Sequence, residues 1–294
     1  MIDILNQQFG LENILRFAKH SSGLVHGLVN TPICTGSFFL LGAHLAEFQN
    51  KYQDGHQAHP VLFMSREAIF EVGKPIRGGV PICFPWFGPK ASDSTAPAHG
   101  LVRTELWQVA RTECDSEVVV VELTKSIAGF RLNYQMRFGQ QLGMSLTITN
   151  QSYQAQQCEV ALHTYFTISD VSNVSIWGLE TIPFFDKISQ RSESASGEPI
   201  AFTSETDRVY SGSVPVIELH DTGLARTIVL RPQNSASTVV WNPWIEKSKR
   251  LADFGDDEYL RMCCIETANV GQQQLSLQPA ESNTIAVEIS VVPM

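Results

Sequence analysis

The sequence lacks several of the patterns that mark common protein classes. Its six cysteines include no Cys-x-x-Cys spacing, and a chain of 294 residues does not need disulfides to fold, so we expect reduced, mostly buried thiols. No segment approaches the ~20 consecutive apolar residues that a membrane-spanning helix needs, which argues against a membrane protein. The first residues include early acidic side chains and no apolar run of signal-peptide form, so the cytoplasm is the expected location.

The chain also has fewer basic than acidic residues, and two common site motifs are absent from it. A net charge of −9 argues against nucleic acid or an anionic membrane as a partner, although a local arginine cluster could still attract a small anionic substrate. No Gly-Lys-Ser/Thr completes a P-loop, and no Gly-x-Ser-x-Gly marks a nucleophile elbow. His56 and His59 lie three residues apart beside a proline with no evident third ligand, so we interpret them as loop residues and expect no metal site.

Helical periodicity is confined to the start of the chain, where residues 9–20 fit one short amphipathic helix. From about residue 24 onward, apolar residues recur with period two in short segments separated by Gly, Pro or Asn. We predict strands at 24–29, 33–40, 43–49, 61–65, 107–114, 118–123, 130–138, 142–149, 157–168, 174–177, 215–220, 226–231, 236–241, 260–267, 273–278 and 284–292. Because no repeat or linker interrupts them, the pattern predicts an all-β antiparallel sandwich forming one domain, 1–294.

The strongest local signal is a strict alternation of apolar and polar residues at 130–138 and again at 142–149. The two runs are joined by Gly139, Gln140 and Gln141, which is typical of a hairpin with one buried face. By contrast, the stretch 190–207 is rich in Ser and Glu and is expected to be a surface excursion.

The segment 75–103 contains too many Gly and Pro residues for a long helix or a central strand. It is nevertheless apolar, with aromatic residues at Phe84, Trp86 and Phe87, so we expect a long ordered loop that presents polar groups at a site. Arg77 and Arg103 bracket this loop, and arginine suits bidentate capture of phosphate or carboxylate. The alternative is a pair of surface or structural ion-pair residues.

Two titratable residues lie in predicted strands. Alternation places His163 on a different face from Leu162 and Phe166, where it is either a binding residue or a half-exposed histidine on a solvated sheet face. Glu266 shares a face with Met262 and Cys264, and partial desolvation there would raise its pKa toward the range of a general base. Its alternative is a glutamate at a strand end that reaches water.

Two polar or aromatic segments further along the chain have ambiguous roles. Asp207 and Arg208 belong to a short polar stretch that either binds a hydroxylated ligand or forms an Asx-stabilised turn. Trp241 and Trp244 flank a predicted turn, where they suit either stacking on a sugar ring or packing.

Six segments in this order closely resemble the glucose-6-phosphate 1-epimerases, the hexose-6-phosphate mutarotases of the aldose 1-epimerase superfamily, over nearly the whole chain. They are Ile76-Arg77-Gly78-Gly79-Val80-Pro81-Ile82-Cys83-Phe84-Pro85-Trp86-Phe87-Gly88, His99-Gly100-Leu101-Val102-Arg103, Ala161-Leu162-His163-Thr164-Tyr165-Phe166, Thr206-Asp207-Arg208-Val209-Tyr210, Trp241-Asn242-Pro243-Trp244 and Cys264-Ile265-Glu266. The resemblance implies a large antiparallel β supersandwich, similar to galactose mutarotase.

The resemblance also implies an isomerase that interconverts the α and β anomers of hexose 6-phosphates, with no cofactor. In the roles it implies, His163 and Glu266 are catalytic, Arg77 and Arg103 hold the phosphate, Asp207 contacts the sugar and His99 lies near the site. Ala98 stands where some relatives have Gln, which removes one polar contact. A monomer is the simplest expectation for the assembly.

Ring opening needs one group to take the proton of the C1 hydroxyl while another protonates the ring oxygen. We expect Glu266 as the base and protonated His163 as the acid, on opposite sides of the ring, with the roles reversed on closure. Remote binding of the phosphate would orient C1 between them. Two alternatives remain open, namely a non-catalytic sugar-phosphate binding or regulatory protein, and a glycosidase that uses Glu266 and Asp207.

Overall fold

Antiparallel strands dominate the computed structural model, which describes residues 2–53, 56–57 and 59–294, with only the backbone of 52, 53, 56 and 57. The strands, in chain order, are β1 (Leu15–Lys19), β2 (Val25–Asn30), β3 (Cys34–Phe39), β4 (His44–Asn50), β5 (Tyr52–Gln53), β6 (His56–Gln57), β7 (Ile82–Cys83), β8 (Gln108–Asp115), β9 (Val118–Ile127), β10 (Phe130–Phe138), β11 (Leu142–Asn150), β12 (Gln156–Cys158), β13 (Val160–Leu162), β14 (Tyr165–Thr167), β15 (Val174–Trp177), β16 (Phe184–Asp186), β17 (Arg191–Glu193), β18 (Thr206–Ser211), β19 (Ile217–Asp221), β20 (Arg226–Gln233), β21 (Ser237–Asn242), β22 (Met262–Asn269), β23 (Leu275–Leu277) and β24 (Ser282–Pro293).

The helices are short, and none in the described ranges is both long and apolar enough to cross a lipid bilayer. The α-helices are α1 (Ile2–Phe9) and α2 (Trp244–Ser248), and the 3₁₀ helices are Val102–Thr104, Val171–Asn173, Glu258–Arg261 and Gly271–Gln273.

The predicted helix at 9–20 is wrong, because the helix ends at Phe9 and β1 occupies most of the predicted span. Leu15 and Phe17 are buried with Arg16 exposed between them, which is the period of a strand. Pairing with β2 therefore overrides the local helical pattern, as tertiary contacts commonly do. The Asn6 side chain joins the two elements, since it accepts from the Phe17 N–H and donates to the Phe17 carbonyl, at 2.7 and 2.9 Å.

The first eight-stranded sheet, which we call the large sheet, has the order β15-β19-β20-β24-β11-β10-β9-β8. The predicted hairpin is confirmed, since β10 and β11 pair in one unbroken register from Phe130 opposite Asn150 to Phe138 opposite Leu142. The inner face of this hairpin is fully buried and the outer face is half-exposed or exposed. One face therefore lies on the core and the other meets water, as the alternation requires.

The second eight-stranded sheet, which we call the site sheet, has the order β17-β16-β18-β21-β22-β13-β7, with β14 also paired to β22. Residues such as Val240, Leu162 and Ile265 pack into the same apolar cluster as Leu146 of the large sheet. The all-β antiparallel architecture predicted from the sequence is confirmed. A four-stranded sheet, β1-β2-β3-β4, contributes Phe38 and Phe48 to that cluster.

Several strand boundaries differ from the prediction. Residues 61–65 form only isolated bridges, in which Leu62 pairs with Phe166 and Met64 with Gly78. The stretch that begins at Thr206, predicted as a polar loop or turn, is strand β18, held between β16 and β21. The Ser- and Glu-rich stretch before it is largely exposed, as predicted for an excursion.

Candidate active site

The loop 75–103 is ordered and hydrogen-bonded to the strands that carry the candidate residues. The Tyr165 N–H donates to the Gly79 carbonyl and the His163 N–H donates to the Pro81 carbonyl, at 2.9 and 3.0 Å. Gly79 has a φ of +56°, and a Cβ there would lie 2.2 Å from the Leu45 carbonyl oxygen, so a side chain would not fit. Phe84 is fully buried beneath the loop. The prediction of an ordered loop pinned by an aromatic residue is confirmed.

Strand register brings the distant candidates together on one face of the site sheet. Asp207 lies opposite Trp241, which lies opposite Cys264, which in turn lies opposite Tyr165. Directly opposed residues in antiparallel strands point to the same face, so these four form one row across the sheet.

A second row, two residues along each strand, carries the acid and base candidates. Val209 lies opposite Val239, which lies opposite Glu266. Leu162 and Tyr165 face Thr267 and Cys264, so the same register places His163 opposite Glu266. The two candidates therefore meet because three strands share one alignment.

His163 and Glu266 are in direct contact, with 3.3 Å between His163 Nε2 and Glu266 Oε1. Their side chains are only 9 % and 1 % exposed, so His163 is not on a solvated face and Glu266 is not a strand-end residue reaching water. Two other polar atoms, His163 Nδ1 and Glu266 Oε2, are buried without a hydrogen-bond partner among the described residues. Unpartnered buried polar atoms are costly, and hydroxyl groups of a ligand would satisfy them.

This contact contradicts the expectation that the two groups stand on opposite sides of a sugar ring, because no ring fits between atoms 3.3 Å apart. Anomer exchange does not need that arrangement. The C1 hydroxyl oxygen and the ring oxygen are bonded to the same carbon, so an adjacent acid and base on one sheet face can address both.

Burial sets the protonation of this pair. Desolvation, assisted by the negative charge of Asp207, raises the pKa of Glu266 well above its usual value. Desolvation also lowers the pKa of His163 well below its usual value, and the nearby groups His99, Arg77 and Arg103 lower it further. Both shifts favour neutral groups. The directions of these shifts favour a protonated carboxyl group beside a neutral imidazole, which is the reverse of the starting state expected from the sequence.

Tyr165 and Trp241 enclose His163. The Tyr165 ring stacks on the imidazole with centroids 4.8 Å apart and planes 13° apart, and the Trp241 ring lies edge-on at 6.0 Å. Trp241 is buried, so of its two predicted roles packing is the one observed. These contacts fix the orientation of the His163 imidazole.

The charges of the two arginines that bracket the loop both act on His163, and the charge of Arg77 also acts on Arg103. Arg77 donates to the Tyr165 hydroxyl and to Asp253, both at 3.0 Å. Arg103 donates to the Ala98 carbonyl at 2.7 Å and has no carboxylate within 4 Å among the described residues. Ala98 thus contributes through its backbone.

Asp207 lies between two lysines, with Lys187 Nζ at 3.5 Å and Lys247 Nζ at 3.7 Å. Lys247 also pairs with Glu205 at 2.9 Å. Lys187 was missed by the sequence analysis, although its charge reaches the pair by opposing the rise in the pKa of Glu266. It follows the hairpin strand β16, which the sequence did not predict, so no pattern in the sequence pointed to it.

His99 lies next to His163, with ring centroids 5.8 Å apart. The Gly88 N–H donates to its Nδ1 at 3.4 Å, and the Cys83 thiol lies at the same distance from that nitrogen. Burial, with Arg103 and Lys187 among the nearby charges, lowers the pKa of His99 to about 3. Because Nδ1 is an acceptor in this neutral ring, the hydrogen is on Nε2, which is then available as a donor.

No group of three or more His, Cys, Asp or Glu residues that could hold a metal ion occurs within the described residues. The His56 side chain lies outside them, so the interpretation of His56 and His59 as loop residues without a metal stays a prediction. All six cysteines are free, and five of them are buried, as expected for structural thiols.

The family model for aldose 1-epimerase matches residues 28–290. A protein of Cenchrus ciliaris with the provisional name glucose-6-phosphate 1-epimerase is 32 % identical over 279 residues, covering 88 % of this chain and 82 % of its own. A crystal structure from Salmonella typhimurium, provisionally described as a mutarotase, is 27 % identical with a TM-score of 0.88, covering 99 % of this chain and 100 % of the other. A galactose mutarotase-like protein of Clostridium acetobutylicum shares the fold, with a TM-score of 0.70 at 15 % identity over 95 % and 98 % of the two chains.

Proposed function

Because this chain belongs to the aldose 1-epimerase family, we propose that it interconverts the α and β anomers of hexose 6-phosphates, with glucose 6-phosphate as the preferred substrate. The observation that carries the proposal is the buried contact between His163 and Glu266, with the charges of Arg77 and Arg103 acting on His163. An acid and a base in contact can exchange one proton through a substrate without changing their combined charge.

In the proposed reaction, Glu266 takes the proton of the C1 hydroxyl and His163 donates a proton to the ring oxygen. The bond between C1 and the ring oxygen breaks, which gives the open-chain aldehyde. Rotation about the C1–C2 bond presents the other face of the carbonyl, and closure returns both protons in the reverse direction. Each positioned proton-transfer group contributes ~10²–10⁴-fold to such a rate.

Phosphate binding would prepare the pair for this direction of transfer. Arg77 and Arg103 are among the charges that lower the pKa of His163. A phosphate dianion beside them offsets their field and raises the pKa of both His163 and Glu266. The rise is larger for His163, because both arginines act on it whereas only Arg103 is among the charges that lower the pKa of Glu266, and this difference favours movement of the shared proton from Glu266 to the imidazole. Substrate binding thereby supplies a protonated acid and an ionised base without a net uptake of protons.

The balance of charge favours the arginine side of the site for the phosphate. Lys187 and Lys247 are offset by Asp207 and Glu205, whereas Arg103 has no carboxylate partner in the described part of the chain. Asp207 is suited to accept a hydrogen bond from a sugar hydroxyl, and His99 to donate one. Anchoring the phosphate at a distance orients C1 at the acid and base.

The test is NMR exchange spectroscopy on glucose 6-phosphate at anomeric equilibrium, with and without the protein. We expect exchange between the α and β resonances to accelerate in proportion to protein concentration. Binding without faster exchange would contradict catalysis and favour the alternative of a sugar-phosphate binding protein. Hydrolysis of a disaccharide would instead support a glycosidase.

Arg103→Ala tests the phosphate contact in the same assay. Loss of one charge-assisted contact, ~1.5–3 kcal/mol, is expected to raise KM for glucose 6-phosphate roughly 10- to 100-fold. Arg137, exposed on the outer face of β10, provides the control, since Arg137→Ala removes the same charge away from the site. An unchanged KM in Arg103→Ala would exclude Arg103 as a phosphate ligand.

A further inference from the structure

Two groups of the protein itself already accept hydrogen bonds from Arg77. Its Nη2 donates to Asp253 Oδ1 and its Nη1 to the Tyr165 hydroxyl, both at 3.0 Å, and both ion-pair side chains are less than one-fifth exposed. Arg103 makes only a backbone contact among the hydrogen bonds of the described residues. The two arginines therefore differ, because Arg77 is in direct contact with a carboxylate and Arg103 contacts none in the described part of the chain.

Asp253 is held in this position by a pinned loop. It lies between α2 and the 3₁₀ helix Glu258–Arg261, and the next residue, Phe254, is buried against Phe63. The Glu258 carboxylate accepts from the N–H groups of Gly255 and Arg66 and from a serine hydroxyl, at 2.7–2.8 Å. The loop is thus tied at two points to the segment around residues 63–66, so the carboxylate of Asp253 cannot move away from Arg77 at little cost.

We infer that Asp253 is an internal counter-ion that competes with the substrate phosphate for Arg77 and thereby sets how strongly the site prefers phosphorylated over unphosphorylated hexoses. The inference rests on the proposed function and assigns a specificity-determining role to a residue outside the acid–base pair. It also makes Arg103 the principal phosphate contact, with Arg77 shared between two anions.

The expected size of the effect follows from Coulomb's law. A phosphate on a free edge of the Arg77 guanidinium would lie roughly 6 Å from the Asp253 carboxylate, and a dianion repelled by one unit charge at that range loses about tenfold in affinity even at the dielectric constant of water. Asp253 also acts favourably on the charge of Arg103, so both cations of the phosphate side feel it.

The test removes the charge and keeps the shape. Asp253→Asn retains an oxygen that can accept from Arg77, so the arginine stays in place while the competing charge is lost. We expect KM for glucose 6-phosphate and Kd for inorganic phosphate, measured by calorimetry, to fall about three- to tenfold. The KM for unphosphorylated glucose, where turnover of that sugar is detected, is expected to be unchanged.

Three variants control this result. Asp256→Asn removes one charge from an exposed position on the same loop and is expected to leave both constants unchanged. Asp253→Glu keeps the charge and is expected to keep the affinity near that of the wild type, which separates charge from packing. Asp253→Ser removes the charge with a smaller side chain, should the amide impair folding.

Phosphate affinity in Asp253→Asn that equals or falls below that of the wild type would overturn the inference, as would an equal gain in Asp256→Asn. Absence of phosphate binding in every variant would overturn it as well. Calorimetry with inorganic phosphate needs no turnover, so failure of the wild type to accelerate anomer exchange would reject the proposed function while the role of Asp253 is still measured.

Discussion

The two eight-stranded sheets differ in whether one or both of their faces are buried. In the large sheet, β10 and β11 bury one face, and their polar residues lie on the other, where water solvates them. In the site sheet, every residue of β21 and β22 is buried, so both faces lie inside the protein. A carboxylate on the large sheet's outer face costs little, whereas Glu266 on the site sheet is desolvated and its pKa is raised. A polar group retained on a second buried face is therefore one whose protonation the fold can alter.

Glu266→Gln is expected to have the largest effect on activity of the single substitutions that test the contrast between the two sheets. The amide keeps the shape of the side chain but cannot exchange protons, so we expect ~10²–10⁴-fold slower anomer exchange with a free energy of unfolding within ~1 kcal/mol of the wild type. Glu122→Gln on β9 of the large sheet, at a half-buried position, is the matched control and should leave both quantities unchanged. Comparable activity losses in the two variants would show that activity does not depend specifically on the buried carboxylate of the site sheet.

Met144→Ala is expected to show the opposite pattern. Met144 is buried on the inner face of β11, and truncation there leaves a cavity that costs about 2–5 kcal/mol of unfolding free energy. Anomer exchange per folded molecule should match the wild type, because the site sheet keeps its register. Thermal or denaturant unfolding measures the first quantity and NMR exchange the second. A loss of turnover larger than the loss of folded protein would argue against this separation.

Asp207→Asn tests whether a neighbouring negative charge contributes to the raised pKa of Glu266. Burial and then the charge of Asp207 raise the pKa of Glu266, so removing that charge lowers the pKa. The alkaline limb of kcat/KM against pH reports loss of the proton that the pair holds, and it should therefore move to lower pH in the variant. Titration of the substrate phosphate is common to both proteins and cancels in the difference. An alkaline limb that stays in place or moves upward would exclude Asp207 as a cause of the shift.

Much of the fold was predictable because strand alternation is a local pattern. The hairpin of β10 and β11 is confirmed in register, and the faces assigned to Leu162, Phe166 and Cys264 agree with the clusters they join. The helix predicted at 9–20 failed because pairing of β1 with the next strand, β2, decides that segment, and the apolar spacing within 9–20 does not encode that pairing. The single domain over 1–294, the monomeric state and the cytoplasmic location stay predictions.

The candidate site was predictable only in part. His163 and Glu266 could be named from the sequence, but their direct contact arises from a register shared by β13, β14 and β22 that no single strand encodes. The sequence did not predict Lys187 and Asp253 as site residues, because each lies beside a short element with weak periodicity. Their proximity to Asp207 and Arg77 comes from pairing across the sheet and from a pinned loop.

The central claim is that His163 and Glu266 act as one acid–base couple. The most direct test is NMR measurement of anomer exchange on glucose 6-phosphate for the wild type, His163→Ala, Glu266→Gln and the double variant. Groups that exchange one shared proton fail together, so each single variant should lose nearly as much activity as the double variant. Losses that multiply in the double variant, or full exchange activity in both single variants, would contradict the account.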